Sequence, residues 1–198
     1  MDKHKIAIVV GSLRKDSLNR KVALAMCSVA AERLDCSIVE IGNLALFNQD
    51  IEASPPPEWT AFKEQIAAAD GILFVTPEYN RSIPGALKNA IDVGSRPYGQ
   101  SAWEKKPAAI VTASPGGIGG FGCNHQLRQA CVFLDMPVMQ QPEAYLGGVT
   151  DKSFAEDGSI ADPGLDKVVK RVAFAFADWV GLIKSGRAAL AGDPAHQG

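Results

Sequence analysis

Several features that would assign a chain at once are missing from this sequence. Its four cysteines, Cys27, Cys36, Cys123 and Cys131, show no Cys-x-x-Cys or Cys/His spacing, so they predict no zinc site and are expected as reduced thiols. The net charge of −2 offers no basic face for nucleic acid. The N-terminal apolar run, 6–10, has only five residues, too few for a secretion signal or a membrane span. A cytoplasmic protein without nucleic-acid or membrane partners is therefore expected.

What the sequence does contain is a regular alternation of short apolar runs and longer segments of helical period. The apolar runs predict five strands, at residues 6–10, 37–41, 72–76, 108–112 and 138–140. This alternation is typical of an α/β fold with a parallel sheet covered on both faces. Single-helix connections imply right-handed crossovers and a doubly wound sheet of order 2-1-3-4-5. The length of 198 residues favours one domain, predicted at 1–186, with 187–198 as a flexible tail.

In doubly wound sheets, ligands bind at the carboxyl ends of the strands where the winding direction reverses. Here that point lies between the first and third predicted strands. The segments that follow Val10, Thr76 and Thr112 are therefore predicted to meet there.

The segment after the first strand, GSLRKDSLNRK at 11–21, is rich in hydrogen-bond donors. Ser17 precedes the helical period and is a candidate N-cap, so free N–H groups and a helix dipole would point at one place and attract an anion. Arg14 adds a forked cation suited to phosphate, and Ser12 and Asn19 add neutral donors. The alternative is an ordinary capped helix with exposed polar residues.

Two classes of phosphate-containing ligand are disfavoured because this segment lacks the residues that bind them. A dinucleotide fingerprint requires glycines where Leu13 and Asp16 stand. A Walker motif requires a second glycine and a lysine that are also missing. A terminal monophosphate held by hydroxyls and amides therefore fits better than a dinucleotide or a nucleoside triphosphate.

Two further segments are predicted at the same edge of the sheet. TPEYNRSIPGALKNAID at 76–92 combines a stiffening proline with Tyr79, whose ring could cover a flat heterocycle. ASPGGIGGFG at 113–122 holds five glycines, so its backbone can approach a ligand closely. Taken singly, the first of these is also explained as a structural turn and the second as a surface turn.

At these three segments the chain resembles a known family. GSLRKDSLN, TPEYNRSIPGALKNAID and SPGGIGG, which follow the first, third and fourth predicted strands, are similar to the NAD(P)H-dependent FMN reductases. That family includes bacterial chromate and quinone reductases and has a flavodoxin-like fold. The likeness spans roughly residues 5–184, with all three motifs in order.

The resemblance implies that FMN is bound by the three segments. The residues expected to bind its ribityl phosphate are Ser12, Arg14, Ser17, Leu18 and Asn19. Those expected to contact its isoalloxazine are Pro77, Glu78, Tyr79 and Asn80, with Ser114, Gly116 and Gly117 flanking the flavin.

The resemblance also implies an activity and an assembly. A hydride would pass from NADPH or NADH to flavin N5, and electrons would then pass to a quinone, chromate or a similar small acceptor. The flavin carries this chemistry, so neither a catalytic side chain nor a metal is expected. A homodimer or homotetramer is expected, with a neighbouring chain lining the flavin pocket.

Two points remain open in the sequence. A flavodoxin-like electron carrier without a nicotinamide site is the alternative function, although such carriers have strongly acidic surfaces that a net charge of −2 does not match. Arg96 is a candidate for binding an anionic acceptor or the pyridine nucleotide, and a solvated loop arginine explains it equally well.

Overall fold

A single five-stranded parallel sheet runs through the computed structural model, which describes residues 2–192. Its strands are β1 (His4–Val10), β2 (Leu34–Ile38), β3 (Gly71–Thr76), β4 (Ala108–Ala113) and β5 (Ala144–Leu146). Their order is β2-β1-β3-β4-β5, and every neighbouring pair is parallel. The predicted doubly wound, flavodoxin-like sheet is thus confirmed.

Helices cover both faces of this sheet. They are α1 (Leu18–Val29), α2 (Pro57–Ala67), α3 (Gly85–Gly94), α4 (Phe121–Phe133) and α5 (Pro163–Ala191), with short 3-10 helices at Gln49–Ile51 and Asp151–Ser153. One hydrophobic cluster packs α1 and α5 against the sheet, and a second packs α2, α3 and α4 against its other face. Within residues 2–192, none of the helices has the length and apolarity needed to span a membrane.

The central strands explain why the sequence shows continuous apolar runs rather than alternation. In β3, Leu73 and Val75 belong to the cluster on the α1 and α5 face, while Ile72 and Phe74 belong to the opposite cluster. All residues of β3 and β4 are buried. A strand buried on both faces has no position for an exposed polar side chain.

The predicted bounds of β2 are wrong. The strand is Leu34–Ile38, three residues earlier than the predicted 37–41, and it pairs with His4–Ile8 of β1. The predicted strand included Val39 and Ile41, which lie in the loop after β2. They are buried because they pack with α2. Val39 still donates its N–H to the Ile8 carbonyl at 2.9 Å, but neither residue belongs to the β2 ladder, so burial explains their apolar character.

The predicted fifth strand at 138–140 is also displaced. Val138 forms one isolated bridge to Ala108, and the chain pairs again with β4 only at Ala144–Leu146. Two prolines interrupt the segment, at positions 137 and 142, and proline cannot donate to a ladder. The edge of the sheet is therefore built in two short pieces.

Two helix ends also differ from expectation. Helix α4 begins at Phe121 rather than near residue 124, directly after Gly120, whose left-handed backbone ends the glycine-rich segment. Helix α5 continues to Ala191, so residues 187–191 of the predicted tail are helical. Arg187 donates to the backbone carbonyl of Lys105. The remainder of the predicted tail, 193–198, lies outside the described residues.

The expectation of four reduced thiols is wrong for one pair. Cys27 of α1 and Cys36 of β2 form a disulfide, with their Cα atoms 6.1 Å apart. The chain reverses between the last turn of α1 and β2, and this reversal brings together two cysteines whose spacing in sequence gave no sign of a bond. Cys123 and Cys131 are free and buried.

Candidate functional site

Three loops meet at the carboxyl edge of the sheet, as the strand order predicts. We call residues 11–17 the first loop, 77–84 the second loop and 114–120 the third loop. The Gly11 N–H donates to the Val75 carbonyl at 2.9 Å, which joins the start of the first loop to the end of β3. The Asn19 side chain reaches the end of β4, and Glu78 reaches the start of α4.

The first loop ends in a capped helix start. Ser17 is buried and its Oγ accepts a hydrogen bond from the Arg20 N–H at 3.3 Å, which confirms the predicted N-cap. The first turn of α1, which begins at Leu18, carries no acidic residue. The positive end of the helix dipole is therefore not compensated by a side chain of its own turn.

Cations surround this helix start. Arg14 is exposed, and its guanidinium makes no salt bridge within residues 2–192. A cavity of about 500 Å³ beside the loop is lined by Ser12, Arg14, Lys15 and Arg20. Arg20 is paired with Glu40 at 2.8 Å and Lys21 with Asp151 at 2.6 Å, so Arg14 and Lys15 are the cations here that make no salt bridge within residues 2–192. This arrangement suits an anion at the start of α1.

Asn19 is the buried polar residue at the centre of the site. Its Nδ2 donates to the Ala113 carbonyl at 3.2 Å, whereas its Oδ1 is buried and has no partner among the described residues. Buried polar atoms are almost always hydrogen-bonded in folded proteins. An unpaired acceptor behind the first loop therefore points to a donor that the chain itself does not supply.

The second loop presents an aromatic ring on a constrained turn. Tyr79 is 47% exposed, and its backbone exchanges two hydrogen bonds with Ser82, at 3.1 and 3.0 Å. Between them, Asn80 and Arg81 have φ angles of 50° and 64°, a left-handed backbone conformation that residues other than glycine seldom adopt. The loop, stiffened further by Pro77, holds the Tyr79 backbone in one place.

The Glu78 side chain turns away from this ring and toward α4. Its Oε2 accepts the Cys123 N–H at 2.9 Å, and its Oε1 lies 3.3 Å from Nη1 of Arg81. Burial raises the pKa of the neighbouring Cys123 thiol to about 12, although a hydrogen bond with Thr76 acts in the opposite direction. Cys123 is thus a protonated, buried thiol and not a nucleophile.

The third loop is shaped by its glycines in two ways. At Gly117 a Cβ atom would meet nothing within 4 Å, so this position faces open space. At Gly119, where φ is +66°, a Cβ would lie 2.7 Å from the Tyr145 carbonyl carbon, so the close approach of the backbone requires glycine. Ser114 Oγ accepts the Gly116 N–H at 3.1 Å and closes the turn.

An aromatic cluster next to the third loop was not anticipated as a unit. The Tyr145 hydroxyl lies 2.9 Å from Nε2 of His125, and Phe121 packs on both, with ring centroids 4.3 Å from His125 and 5.2 Å from Tyr145. Burial raises the pKa of Tyr145 to about 12, with Glu143 acting in the same direction. The spacing of Phe121 and His125 at i, i+4 is the signal that places them on one helix face.

Arg96 lies apart from the three loops. Its Nε is 2.5 Å from Glu52 Oε1, and the hydrogen bond to Glu52 raises the pKa of the guanidinium. Its backbone carbonyl accepts a hydrogen bond from Lys63. Arg96 lines a separate cavity of about 570 Å³ between α2 and the segment after α3. The structure does not bring it together with the other predicted site residues of the same chain.

The chemistry available at the three loops is that of binding and orientation. A cationic helix start can hold a phosphate, and a fixed tyrosine with neighbouring peptide groups can hold a flat ring. The two free cysteines are buried, and the paired His125 and Tyr145 belong to the neighbouring cluster. A redox cofactor bound by these loops would bring its own reactivity.

Comparison with known proteins agrees with this geometry. The family model described as NADPH-dependent FMN reductase matches residues 4–151. A quinone reductase of Pseudomonas putida is 59% identical over 90% of this chain and 96% of its own length. A 2-hydroxy-1,4-benzoquinone reductase of a Burkholderia species is 46% identical over 89% of this chain and 96% of its own length.

A solved structure is similar over the same extent. FerB, a flavoenzyme NAD(P)H:(acceptor) oxidoreductase from Paracoccus denitrificans, is 40% identical and superposes with a TM-score of 0.86. The match covers 90% of this chain and 98% of the FerB chain.

Proposed function

The chain belongs to the NADPH-dependent FMN reductase family, and on this premise we propose that it uses NADPH or NADH to reduce quinones through FMN held in the three loops. The family expected from the loop sequences is confirmed, and with it an oxidoreductase that uses FMN as cofactor and NAD(P)H as electron donor. The quinone acceptor, the binding residues and the route of the electrons are the parts proposed.

The described residues fit the phosphate end of FMN. The start of α1 offers free N–H groups and an uncompensated dipole, and Arg14 adds a guanidinium without a salt bridge partner among residues 2–192. The unpaired Oδ1 of Asn19 suits a ribityl hydroxyl, which can donate to it. We assign the phosphate and ribityl chain to Ser12, Arg14, Ser17, Leu18 and Asn19.

The second and third loops fit the ring end. Tyr79 is exposed and fixed by its turn, and the open space at Gly117 leaves the backbone of the third loop free for close approach. We assign the isoalloxazine to Pro77, Glu78, Tyr79 and Asn80, flanked by Ser114, Gly116 and Gly117. When bound, FMN supplies the hydride chemistry through N5. The protein positions the ring, and its backbone donors stabilise the negative charge of the reduced form.

Quinones are the acceptors that the relatives support best. The Pseudomonas putida and Burkholderia proteins are described as a quinone reductase and a 2-hydroxy-1,4-benzoquinone reductase. Chromate and similar small oxyanions are included as further acceptors, because an open slot beside a flat ring makes few directional contacts and discriminates weakly.

The decisive experiment follows NADPH oxidation at fixed enzyme and FMN with benzoquinone as the acceptor. We expect a yellow protein that consumes NADPH only when benzoquinone or another acceptor is present. A yellow protein without turnover would support the electron carrier instead. A protein that stays colourless with added FMN would contradict both functions.

An oligomer is also part of the proposal. Val132 and Phe133 at the end of α4 are 77% and 86% exposed, and large apolar side chains in such contact with water favour association. We expect a homodimer or homotetramer in which a neighbouring chain helps to line the flavin slot, and Arg96 is a candidate to act there. Light scattering of the holoprotein measures the mass directly.

A cytoplasmic location completes the proposal, since NAD(P)H, the electron donor, is supplied in that compartment. The Cys27–Cys36 disulfide argues in the other direction, because disulfides are rare in reducing compartments. Trapping thiols with an alkylating agent at the moment of cell lysis tests the location. Protection of Cys27 and Cys36 from alkylation would contradict a cytoplasmic location.

A further inference from the structure

Helix α4 begins without a capping side chain of its own. Its N-cap position is Gly120, with φ of +81°, and Gly120 has no side chain to accept from the first turn. The first N–H groups of a helix lack partners within the helix. One of them, the N–H of Cys123, instead donates to Oε2 of Glu78, 45 positions earlier in the chain.

The Glu78 carboxylate is enclosed at this position. The side chain is only 10% exposed, and Arg81 lies against its other oxygen at 3.3 Å. A carboxylate at the start of a helix is also favoured by the helix dipole. Glu78 therefore acts as the cap of α4 from a different loop.

Two other contacts tie the second loop to the same helix. Ser82 Oγ donates to Oε1 of Gln126 at 2.7 Å, and Nε2 of Gln126 donates to the Arg81 carbonyl at 3.0 Å. These contacts are exposed, whereas the contact made by Glu78 is enclosed. The second loop is thus attached to the first two turns of α4 at several points.

Gly122 is matched to the carboxylate. A Cβ at this position would lie 2.9 Å from Oε2 of Glu78 and 3.2 Å from the Arg81 carbonyl oxygen. Helix positions ordinarily favour alanine over glycine. The space that the Glu78 carboxylate needs explains why glycine stands at position 122. The two residues form one fitted contact.

We propose that Glu78 is a positioning residue that sets the spacing between the two loops holding the isoalloxazine, by anchoring the second loop to the helix that follows the third. The inference rests on the proposed FMN site. The Glu78 carboxylate acts through the Cys123 N–H and Gly122, and the contact with the ring assigned to Glu78 above is left to its backbone.

The test compares FMN dissociation from four holoproteins, measured by the fluorescence of FMN released on dilution. Glu78→Ala removes the anchor, and we expect FMN to bind about tenfold more weakly or worse, the scale of a lost hydrogen bond to a charged group. Glu78→Gln keeps an acceptor for the Cys123 N–H and should recover most of the affinity. Asp162→Ala is the matched control, since Asp162 caps α5 through the Leu165 N–H at 2.8 Å.

Asp162→Ala should lower the melting temperature as a lost cap does, with FMN affinity unchanged. If Glu78→Ala binds FMN as the wild type does, or if Glu78→Gln is as weak as Glu78→Ala, the role assigned to Glu78 is wrong. A wild-type protein that binds no FMN overturns the proposed function and this inference together.

Gly122→Ala supplies an independent variant with the acidic residue intact. It should weaken FMN binding in the wild-type background because its methyl group displaces the carboxylate. In the Glu78→Ala background the same change should bring a smaller loss, since the carboxylate is gone and only the Arg81 carbonyl oxygen remains close. Additive losses in this double-mutant cycle would contradict the fitted contact.

Discussion

The side chain of Asn19 joins α1 to the end of β4 by donating from Nδ2 to the carbonyl of Ala113 at 3.2 Å. The same side chain leaves its Oδ1 buried and unpaired among the described residues. One half of the amide thus holds the fold together, and the other half is available to a ligand. This division leads to the first prediction.

Asn19→Ala should lower both stability and FMN affinity. The unpaired Ala113 carbonyl should reduce the free energy of unfolding by about 1–3 kcal/mol, measured by urea titration without FMN. Loss of the Oδ1 acceptor should weaken FMN by about 0.5–1.5 kcal/mol, the net value of a neutral hydrogen bond.

Asn124 offers a matched control for Asn19. It is also buried and donates to a β4 carbonyl, that of Ile110 at 3.3 Å, but its Oδ1 is occupied by Arg128 at 2.9 Å. Asn124→Ala should therefore lose stability and keep its FMN affinity. Equal FMN losses in the two variants would contradict the role given to Oδ1.

Arg14→Ala should weaken FMN binding by about 1.5–3 kcal/mol, the range for hydrogen bonds to charged groups. Riboflavin, which lacks the phosphate, should bind the variant and the wild type equally well. Fluorescence titration with both flavins measures the difference, and Lys167→Ala, at an exposed position of α5, is the control for general loss of positive charge. Unchanged FMN affinity in Arg14→Ala would refute the phosphate assignment.

Reduction of the Cys27–Cys36 disulfide should destabilise the protein. The bond closes a short loop, with a sequence separation of nine residues, and a loop of this size corresponds to about 2–3 kcal/mol of chain entropy. Urea unfolding with and without a phosphine reductant measures the change. Cys36→Ser should start from the lower stability and show no response to the reductant, whereas a response would point to another target.

Acid should destabilise the protein partly through Asp70. Burial alone would raise the pKa of this carboxyl, but hydrogen bonds from Lys184 and the Lys5 N–H, at 2.7 and 2.8 Å, outweigh it and lower the pKa. The stabilisation is therefore complete above the unfolded-state pKa of 3.8 and is lost as pH falls through the lower folded-state value.

Asp70→Asn removes this titration. The variant should be less stable than the wild type near neutral pH, and the difference should shrink below pH 3.8. Urea midpoints measured across that range give the comparison. A difference that stays constant down to the acid limit would exclude Asp70 as a source of the pH dependence.

The sequence predicts the centre of the sheet well and its edges poorly. Strands such as β3 are buried on both faces, so their apolar runs coincide with their pairing. At the edges, apolar residues extend beyond the paired residues of a strand. Val39 is buried beyond the end of β2, and Val138 makes only one bridge. Hydrophobic pattern alone cannot distinguish these cases.

The site shows the same division between local and distant information. The Ser17 cap is local, and its hydroxyl lies three residues from its partner Arg20, so the pattern indicates it directly. The Glu78 contact spans 45 residues and depends on the turn at Gly120. Such a contact follows from the packing of α4 on the sheet, and no spacing in the sequence encodes it.

The left-handed pair Asn80 and Arg81 gives the second loop its shape before any ligand arrives. The turn is already formed in the folded protein, so the binding of a ring against Tyr79 carries little additional free-energy cost for ordering the backbone. Cofactor loading should then be a single diffusive encounter, with an observed rate that rises linearly with FMN concentration and reaches no plateau.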